Sequence, residues 1–272
     1  MTARDYSCVV TLLLDRSSIV LEAGKEYLVE ARLWPLARRH GLASVSEFIQ
    51  RLRAPGSGGL IEEMVEAMVT TETSFFRDIH PFKTLLDTVL PELIAARRND
   101  RCLAIWCAAS SSGQEPYTIA LILREYFPEL ADWKITFQST DLSHDMLRRC
   151  RAGNYSQLEV NRGLPVALLM KYFRQEGARW QIRDDVREMI DFQPINLAEP
   201  WPAMQPFDLI FLRNVMIYFD VETKKSILAQ ISRILRPDGY LILGGAETTF
   251  YLDVSYKRVE SLKGGYYRLA AK

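Results

Sequence analysis

Apolar residues along the chain fall into two rhythms. From the first residues to about residue 70 they recur at helical spacing, with Tyr6, Val9, Val10 and Leu13 forming one stripe and Val45, Phe48, Ile49 and Leu52 another. Ser44 and Glu47, ahead of the second stripe, have capping-box spacing, in which each side chain answers the other's backbone donor. Between the stripes GKEYLVEARLWPLARRHG keeps helical spacing but contains Pro35, which is expected to kink or break the helix because its ring removes a donor and crowds the preceding turn. Pro55 to Gly59 reads as a loop and Leu60 to about Val69 as a short helix.

The second rhythm begins after residue 80. Leu85, Leu86, Val89, Leu93 and Ile94 continue a helix over 81–97, with a kink expected at Pro91, and then come short apolar runs alternating with helices. The first is the stretch CLAIWCAASSSGQEPYTIALILREY, Cys102 to Tyr126: a near-continuous apolar strand, a loop of small residues, and a helix whose face carries Ile119, Ile122, Leu123 and Tyr126. Pro116 suits that helix's first turn, where a backbone donor has no helical partner anyway. Further strands are expected at Ile135–Ser139, Met189–Ile195, Phe207–Leu212 and Tyr240–Leu243, the last entered through a turn at Arg236-Pro237-Asp238-Gly239. A helix is expected at Ser226–Leu235, and a closing hairpin over Tyr256–Leu269 around Gly264-Gly265.

This alternation predicts an α/β fold with a doubly wound, mostly parallel sheet. The chain divides by pattern into a small all-helical N-terminal domain, residues 1–72, and an α/β domain, residues 73–272. The doubly wound pattern lapses at about 154–187, read as a short inserted subdomain with a helix near Val166–Phe173 and a small hairpin in ARWQIRDDV. VTTETSFFRD, residues 69–78, follows neither period; Phe75 and Phe76 either plug a domain junction or serve a site, and Arg77 is open in the same way.

Composition adds mostly exclusions. Lys plus Arg equals Asp plus Glu at 34 each in 272 residues, so no global field draws the chain to nucleic acid or an anionic membrane. With 48% hydrophobic residues but no long apolar run, no membrane insertion is expected, and MTARDYSCVV lacks the basic start and apolar core of a leader; a cytoplasmic protein is expected. Cys8, Cys102, Cys107 and Cys150 lack metal-ligand spacing and histidines are scarce, so no metal site is expected and the cysteines are read as buried thiols. One local excess stands out: Arg32, Arg38, Arg39, Arg51 and Arg53, either a solvated helix face or a docking surface for an acidic partner.

The candidate chemistry sits where strand Cys102–Ala108 feeds its loop and helix, because such a junction aims backbone N–H groups at whatever lies over the strand's end. Asp141 ends the next strand, 28 residues beyond Gly113, where nucleotide-binding α/β folds place an acceptor for ribose hydroxyls; equally, it has the position of an N-cap for Ser143–Cys150.

Four blocks then carry a resemblance: TTETSFFRD, IWCAASSSGQEPYTIA, STDLSHDML with the following GNYS, and FDLIFLRNVMIYFD are similar to the signature blocks of the chemotaxis receptor methyltransferases, the CheR family, and YLVEARLWPLARRHGL extends the likeness into the helical region. The resemblance implies a Rossmann-like class I methyltransferase domain carrying a short β-subdomain. It also implies an S-adenosyl-L-methionine-dependent enzyme that methylates glutamate side chains of methyl-accepting chemotaxis receptors, on their acidic cytoplasmic helices, leaving S-adenosyl-L-homocysteine. Carried over by motif, the cofactor positions are Thr71, Thr73, Arg77, Glu115, Asp141, Asn196, Leu197, Leu212, Arg213 and Asn214, with Arg77 and Tyr218 in the catalytic role and Arg32, Arg38 and Arg39 in receptor docking. The inserted subdomain is short beside those of members that bind a receptor's C-terminal pentapeptide, so that tether is not expected. A glutamate acceptor, with a reference pKa near 4.3, is already ionised at neutral pH and needs no general base. The alternatives are a scaffold of the same fold that binds the cofactor without transfer, and a nicotinamide-dependent oxidoreductase, which would call for the absent GxGxxG.

Overall fold

A computed structural model describes residues 1–260, 262 and 264–270. The chain forms two compact units: Met1–Thr70 with Tyr218–Lys224, and Thr71–Ile217 with Lys225–Lys272.

The first unit is a helical bundle of α1 (Ala3–Ser17), α2 (Glu26–Arg39), α3 (Val45–Leu52) and α4 (Gly58–Met68). Its core joins Val9 and Leu13 to Val29, Leu33, Phe48, Ile49 and Met64, all buried, as the helical stripes require. Of the kink or break expected at Pro35, the break does not occur: α2 runs through it as one helix. Pro35 and Ala31, whose carbonyl loses its helical donor, both lie on the exposed face, so the lost bond leaves no buried carbonyl unpaired. The capping box at α3 is also only half formed: the Ser44 hydroxyl accepts from Glu47 N–H at 3.1 Å, but the Glu47 carboxylate reaches past Ser44 to Ala43 N–H at 3.0 Å. Within this unit a complete box is at α1, between Thr2 and Asp5. Residues 218–224 join this unit through an antiparallel bridge, Ile19 to Phe219, and a bond from Val20 N–H to the Tyr218 carbonyl at 2.9 Å.

The second unit opens with α5 (His80–Thr84), a π-helical turn (Leu85–Val89) and α6 (Leu90–Ala96). The irregularity expected at Pro91 is that π turn, one step earlier, where Leu90 N–H reaches back to the Leu85 carbonyl; Pro91 has no donor for the Asp87 carbonyl, and the backbone widens ahead of it. Then follow β1 (Cys102–Ala108), α7 (Gln114–Tyr126), β2 (Lys134–Asp141), α8 (His144–Ala152), β3 (Asn154–Ser156), α9 (Gln157–Asn161), α10 (Val166–Tyr172), β4 (Phe173–Glu176), β5 (Arg179–Ile182), α11 (Asp184–Arg187), β6 (Ile190–Pro194), β7 (Phe207–Leu212), α12 (Val221–Ile234), β8 (Leu235–Leu243), β9 (Tyr256–Arg258) and β10 (Gly265–Leu269).

Seven strands make one sheet in the order β6-β2-β1-β7-β8-β10-β9. The first five are parallel and β10 is antiparallel to β8, so the doubly wound prediction holds with one reversed strand near an edge. The direction of winding changes between β1 and β7. Register brings the carboxyl ends level there: Ala108 lies beside Thr140 and Leu212, and Leu212 beside Leu243. The inserted segment forms its own sheet, β3-β5-β4, whose β4–β5 hairpin matches the one expected in ARWQIRDDV.

Arg236-Pro237-Asp238-Gly239, expected as a turn before a strand, is part of β8. A register shift opposite Phe207 and Leu209 absorbs it as a bulge. The reason lies beneath the sheet, where buried Asp208 accepts from Ala104 N–H at 2.8 Å and from Arg97 at 2.6 Å, and Arg97 also grips Asp238 with two bonds, 2.8 and 2.6 Å. The bulge delivers Asp238 to Arg97. Of the four cysteines, all free thiols, Cys107 and Cys150 are buried as expected, but Cys102, at the solvent-facing start of β1, is exposed and Cys8 is half-buried.

Candidate functional site

The level strand ends gather the chain's polar loops on one edge of the large sheet. The loop Ala109–Gly113 leaves β1 with Ala109, Ser111 and Gly113 all at positive φ, which folds it back over the sheet. Ser110 N–H bonds the Thr140 carbonyl at 2.9 Å, and the Ser111 hydroxyl donates to the Thr71 carbonyl at 2.7 Å, tying the TTETSFFRD segment to the same loop. Gly113 has φ +95, and a Cβ there would lie 2.9 Å from the Tyr155 hydroxyl, so this one glycine has a steric role. Tyr155 itself donates to the Ser112 carbonyl at 2.9 Å from a fully buried position, and burial drives its pKa well above the ordinary value, keeping it a donor.

Asp141, at the tip of β2, is 7% exposed. Its carboxylate accepts from Ser111 N–H at 2.7 Å and from Ser143 N–H at 2.9 Å. It is therefore not the N-cap of α8; Ser143 caps that helix, accepting from Met146 N–H at 3.2 Å. The acidic residue instead ties the β1 loop to the end of β2, next to the switch point of the sheet.

Glu115, in the first turn of α7, faces Arg213, the first residue after β7. The guanidinium of Arg213, with no exposed surface, donates to Glu115, to Asp78 at 2.9 Å and to the Arg77 carbonyl at 3.2 Å, and stacks 5.4 Å over the Phe82 ring. Burial works against its charge, but Glu115 and Asp78 outweigh it and raise its pKa. Cys107 donates to the other Glu115 oxygen at 3.3 Å; burial, then Glu115, hold that thiol well above its ordinary pKa. Arg213 thus serves as a strut between three segments. Arg77 is half-buried and donates to the Glu72 carbonyl at 2.9 Å within its own loop. Phe75 is wholly buried, edge-on to Tyr155 and Phe173, so the first aromatic of the pair is core.

Asn196 and Leu197 follow β6 on the same edge; the Asn196 side chain accepts from Ala198 N–H at 3.1 Å and donates to Glu199 at 3.0 Å, and Leu197 is buried. Leu212, buried, ends β7. Thr71 and Thr73 are half-buried in the segment held by Ser111.

A residue the sequence reading missed organises the β7 end. Glu247, 8% exposed, accepts from four backbone N–H groups: Asn214 at 2.8 Å, Val215 at 2.9 Å, Met216 at 2.7 Å and Gly244 at 2.7 Å. Three consecutive donors on one carboxylate hold Asn214 at φ +58 and set the course of the 3-10 turn Met216–Tyr218. A carboxylate four residues past the last parallel strand was the available signal.

In the helical unit, Arg32 bonds the Met68 carbonyl and the Thr70 hydroxyl at 3.1 Å and is half-buried; it finishes α4. Tyr218 is half-buried and close enough to Arg32 to favour the guanidinium's charge, although burial dominates and lowers the Arg32 pKa. Arg39 pairs with Glu63 at 2.9 Å in the open, and Arg38 is exposed beside it. Among the described residues, no three His, Cys, Asp or Glu side chains group as metal ligands, and no helix is long and apolar enough to cross a membrane.

The residues on the sheet edge fit an adenosyl amino acid. A tight small-residue loop lets backbone approach the ligand, an acidic side chain stands at the β2 tip for hydroxyls, and Glu115 offers a carboxylate beside a buried Arg213 Nε that has no hydrogen-bond partner among the described residues. Fold and site together define an α/β domain built to bind an adenosine-containing cofactor at its switch point. Comparison with known proteins narrows this. Residues 71–264 match the family described as "CheR methyltransferase, SAM binding domain", and residues 4–69 match "CheR methyltransferase, all-alpha domain". The chain is 40% identical to chemotaxis protein methyltransferase 1 of Pseudomonas aeruginosa over 97% of each chain. It is 40% identical to the chemotaxis protein methyltransferase of Vibrio parahaemolyticus, covering 98% of this chain and 96% of the relative, and 32% identical to that of Escherichia coli, covering 89% and 83%. The chain belongs to the CheR methyltransferase family, and it is an S-adenosylmethionine-dependent methyltransferase of chemotaxis.

Proposed function

We propose that the chain transfers a methyl group to glutamate side chains on acidic cytoplasmic helices of chemoreceptors, forming glutamyl methyl esters, and that it works in the cytoplasm. The observation that carries this is the acidic and amide-lined sheet edge, with Glu115 held by Arg213 and Asp141 held by the Ser111 and Ser143 backbone donors. A glutamate acceptor is already anionic at neutral pH and needs no general base. S-adenosylmethionine supplies an electrophilic methyl group on a sulfonium when bound. Asp141 would accept from its ribose hydroxyls, and Thr71, Thr73, Asn196, Leu197, Leu212 and Asn214 would line the rest of the cofactor. Glu115, held by Arg213, would receive its ammonium.

Arg77 orients the substrate carboxylate, since its planar donors match two oxygens. Alignment is the main need, and a fixed in-line approach contributes on the order of 7–11 kcal/mol. Charge is neutralised as carboxylate and sulfonium react, so a tighter arginine grip would favour reactants over the transition state. Tyr218 would border the methyl group. Arg38 and Arg39, exposed on α2, meet the acidic receptor helix, while Arg32 contributes less because its guanidinium is committed to Met68 and Thr70. Receptor-tail tethering is not part of this reading: β4 and β5 have four residues each.

The test is incubation with methyl-labelled S-adenosylmethionine and receptor cytoplasmic fragments. Label released as methanol by mild alkali is expected. Tight cofactor binding with no alkali-labile label on any receptor fragment would replace this reading with the scaffold alternative.

A further inference from the structure

Beyond Glu247 the chain does something unusual for a loop between two sheet strands. Thr249 is buried, and its carbonyl accepts from Leu252 N–H at 3.0 Å and Asp253 N–H at 3.1 Å; Phe250 N–H bonds the Thr248 hydroxyl at 3.1 Å, and Ser255 N–H bonds Asp253 at 2.8 Å. The far end is tied to the sheet by Ala270 N–H on the Ser255 carbonyl at 2.7 Å. From this well-bonded turn three large apolar side chains stand in solvent: Phe250 is 67% exposed, Tyr251 90% and Val254 96%. The Phe250 and Tyr251 rings lie 4.0 Å apart, and Tyr251 sits at φ +61, a conformation that costs a non-glycine residue free energy and here turns its ring outward.

A turn that is internally satisfied yet displays paired aromatics is shaped for contact, since rigid aromatics bring large area with little rotamer entropy to lose. Its place says which contact. The turn leaves the carboxyl end of β8, level with the loops of the site, and its base, Glu247, is the carboxylate that holds Asn214, Val215 and Met216. The patch is therefore continuous with the reacting edge and latched to the segment that follows Arg213.

We infer that Phe250 and Tyr251 form a docking surface for the apolar side of the amphipathic helix that carries the methyl-accepting glutamate; this rests on the function proposed above. On such a helix, apolar residues three or four positions from the glutamate share its face or the adjoining one, so one rigid helix can present carboxylate to the site and apolar side chains to the aromatic pair. The pair then selects glutamates by their apolar neighbours, separately from any charge attraction at α2.

The experiment uses the whole chain as Phe250→Ser/Tyr251→Ser, with thermal unfolding to confirm an unchanged fold, as expected for exposed positions. Receptor-fragment affinity by fluorescence anisotropy, KM and kcat for receptor methylation, and S-adenosylhomocysteine affinity by calorimetry are compared with the parent. Receptor affinity is expected to weaken, and KM to rise, about tenfold, with kcat at saturating receptor and S-adenosylhomocysteine affinity unchanged. Unchanged receptor affinity overturns the inference, as does a parent that binds no receptor fragment. A parent that binds the fragment through the pair but transfers no methyl overturns the proposed function and leaves the docking surface standing. A parent dimer that the double variant dissolves, at unchanged receptor affinity, assigns the patch to a second copy of the chain and also overturns the inference.

Discussion

Replacing Glu247 by glutamine isolates the latch at the end of β7. The side chain keeps its size and one carbonyl oxygen, but its NH2 group must face one of two donor pairs, Asn214 with Gly244 or Val215 with Met216. Two bonds to a charged acceptor are lost, and two buried N–H groups meet a third donor. Bonds to charged groups contribute about 1.5–3 kcal/mol each, so the upper range is about 3–6 kcal/mol, and local relaxation argues for the lower end, about 3 kcal/mol. At about 2–4 °C per kcal/mol for a domain of this size, the unfolding midpoint falls by about 6–12 °C. Asn tolerates φ +58, but the three donors held by Glu247 fix the path of the chain beyond it, so S-adenosylhomocysteine affinity measured by calorimetry falls as well. Glu247→Asp recovers part of both because it restores the charge. A glutamine variant within about 2 °C of the parent, with unchanged affinity, would show that the four bonds are incidental.

Three further substitutions probe other levels. Gly113→Ala places a Cβ at φ +95 and 2.9 Å from the Tyr155 hydroxyl, so urea denaturation should show a loss of about 1–2 kcal/mol from backbone conformation alone; adding Tyr155→Phe relieves only the contact, and equal stability of Gly113→Ala and parent refutes the conformational assignment. Arg97→Met leaves buried Asp208 with only the Ala104 N–H and the more distant Arg236, 3.3 Å away, and should cost about 3 kcal/mol at neutral pH, the low end for breaking a buried pair. Arg97, chiefly through its hydrogen bonds, also lowers the Asp238 pKa, so that part of the parent's stability is present above about pH 4 and lost as pH falls through the depressed value; the gap between parent and variant should narrow in acid, and a gap that widens contradicts the linkage. Charge reversal, Arg38→Glu/Arg39→Glu, gives up only an exposed pair with Glu63 and should leave stability and S-adenosylhomocysteine affinity intact while slowing receptor methylation several-fold at low salt; equal rates would remove α2 from receptor docking.

Periodicity located nearly every element. Stripes such as Val45, Phe48, Ile49 and Leu52, and runs such as Phe207–Leu212, are buried as their spacing required, because the side a residue faces follows directly from helical or strand repeat. Departures arose wherever a local signal met a distant partner. Arg236–Gly239 has turn chemistry, yet Arg97 and Asp208, far off in sequence, hold it within β8 as a bulge. Asp141 has N-cap chemistry, yet Ser143 takes the cap and Asp141 turns to Ser111. Pro35 has breaker chemistry, yet the bond it removes faces water.

By itself the sequence determined the order of helices and strands, the doubly wound class, the family through four motif blocks, and the identity of the polar residues at the strand ends. Only the tertiary structure decided which of these support one another: that Arg213 braces Glu115 and Asp78, that Arg32 closes α4, and that Glu247 rather than any motif arginine sets the course of the chain after β7. The physical reason is range. Hydrophobic period and capping act within a few residues, whereas a buried charge or carboxylate is satisfied by whichever donors the register of the sheet brings level with it, and that register is settled only when the strands pair.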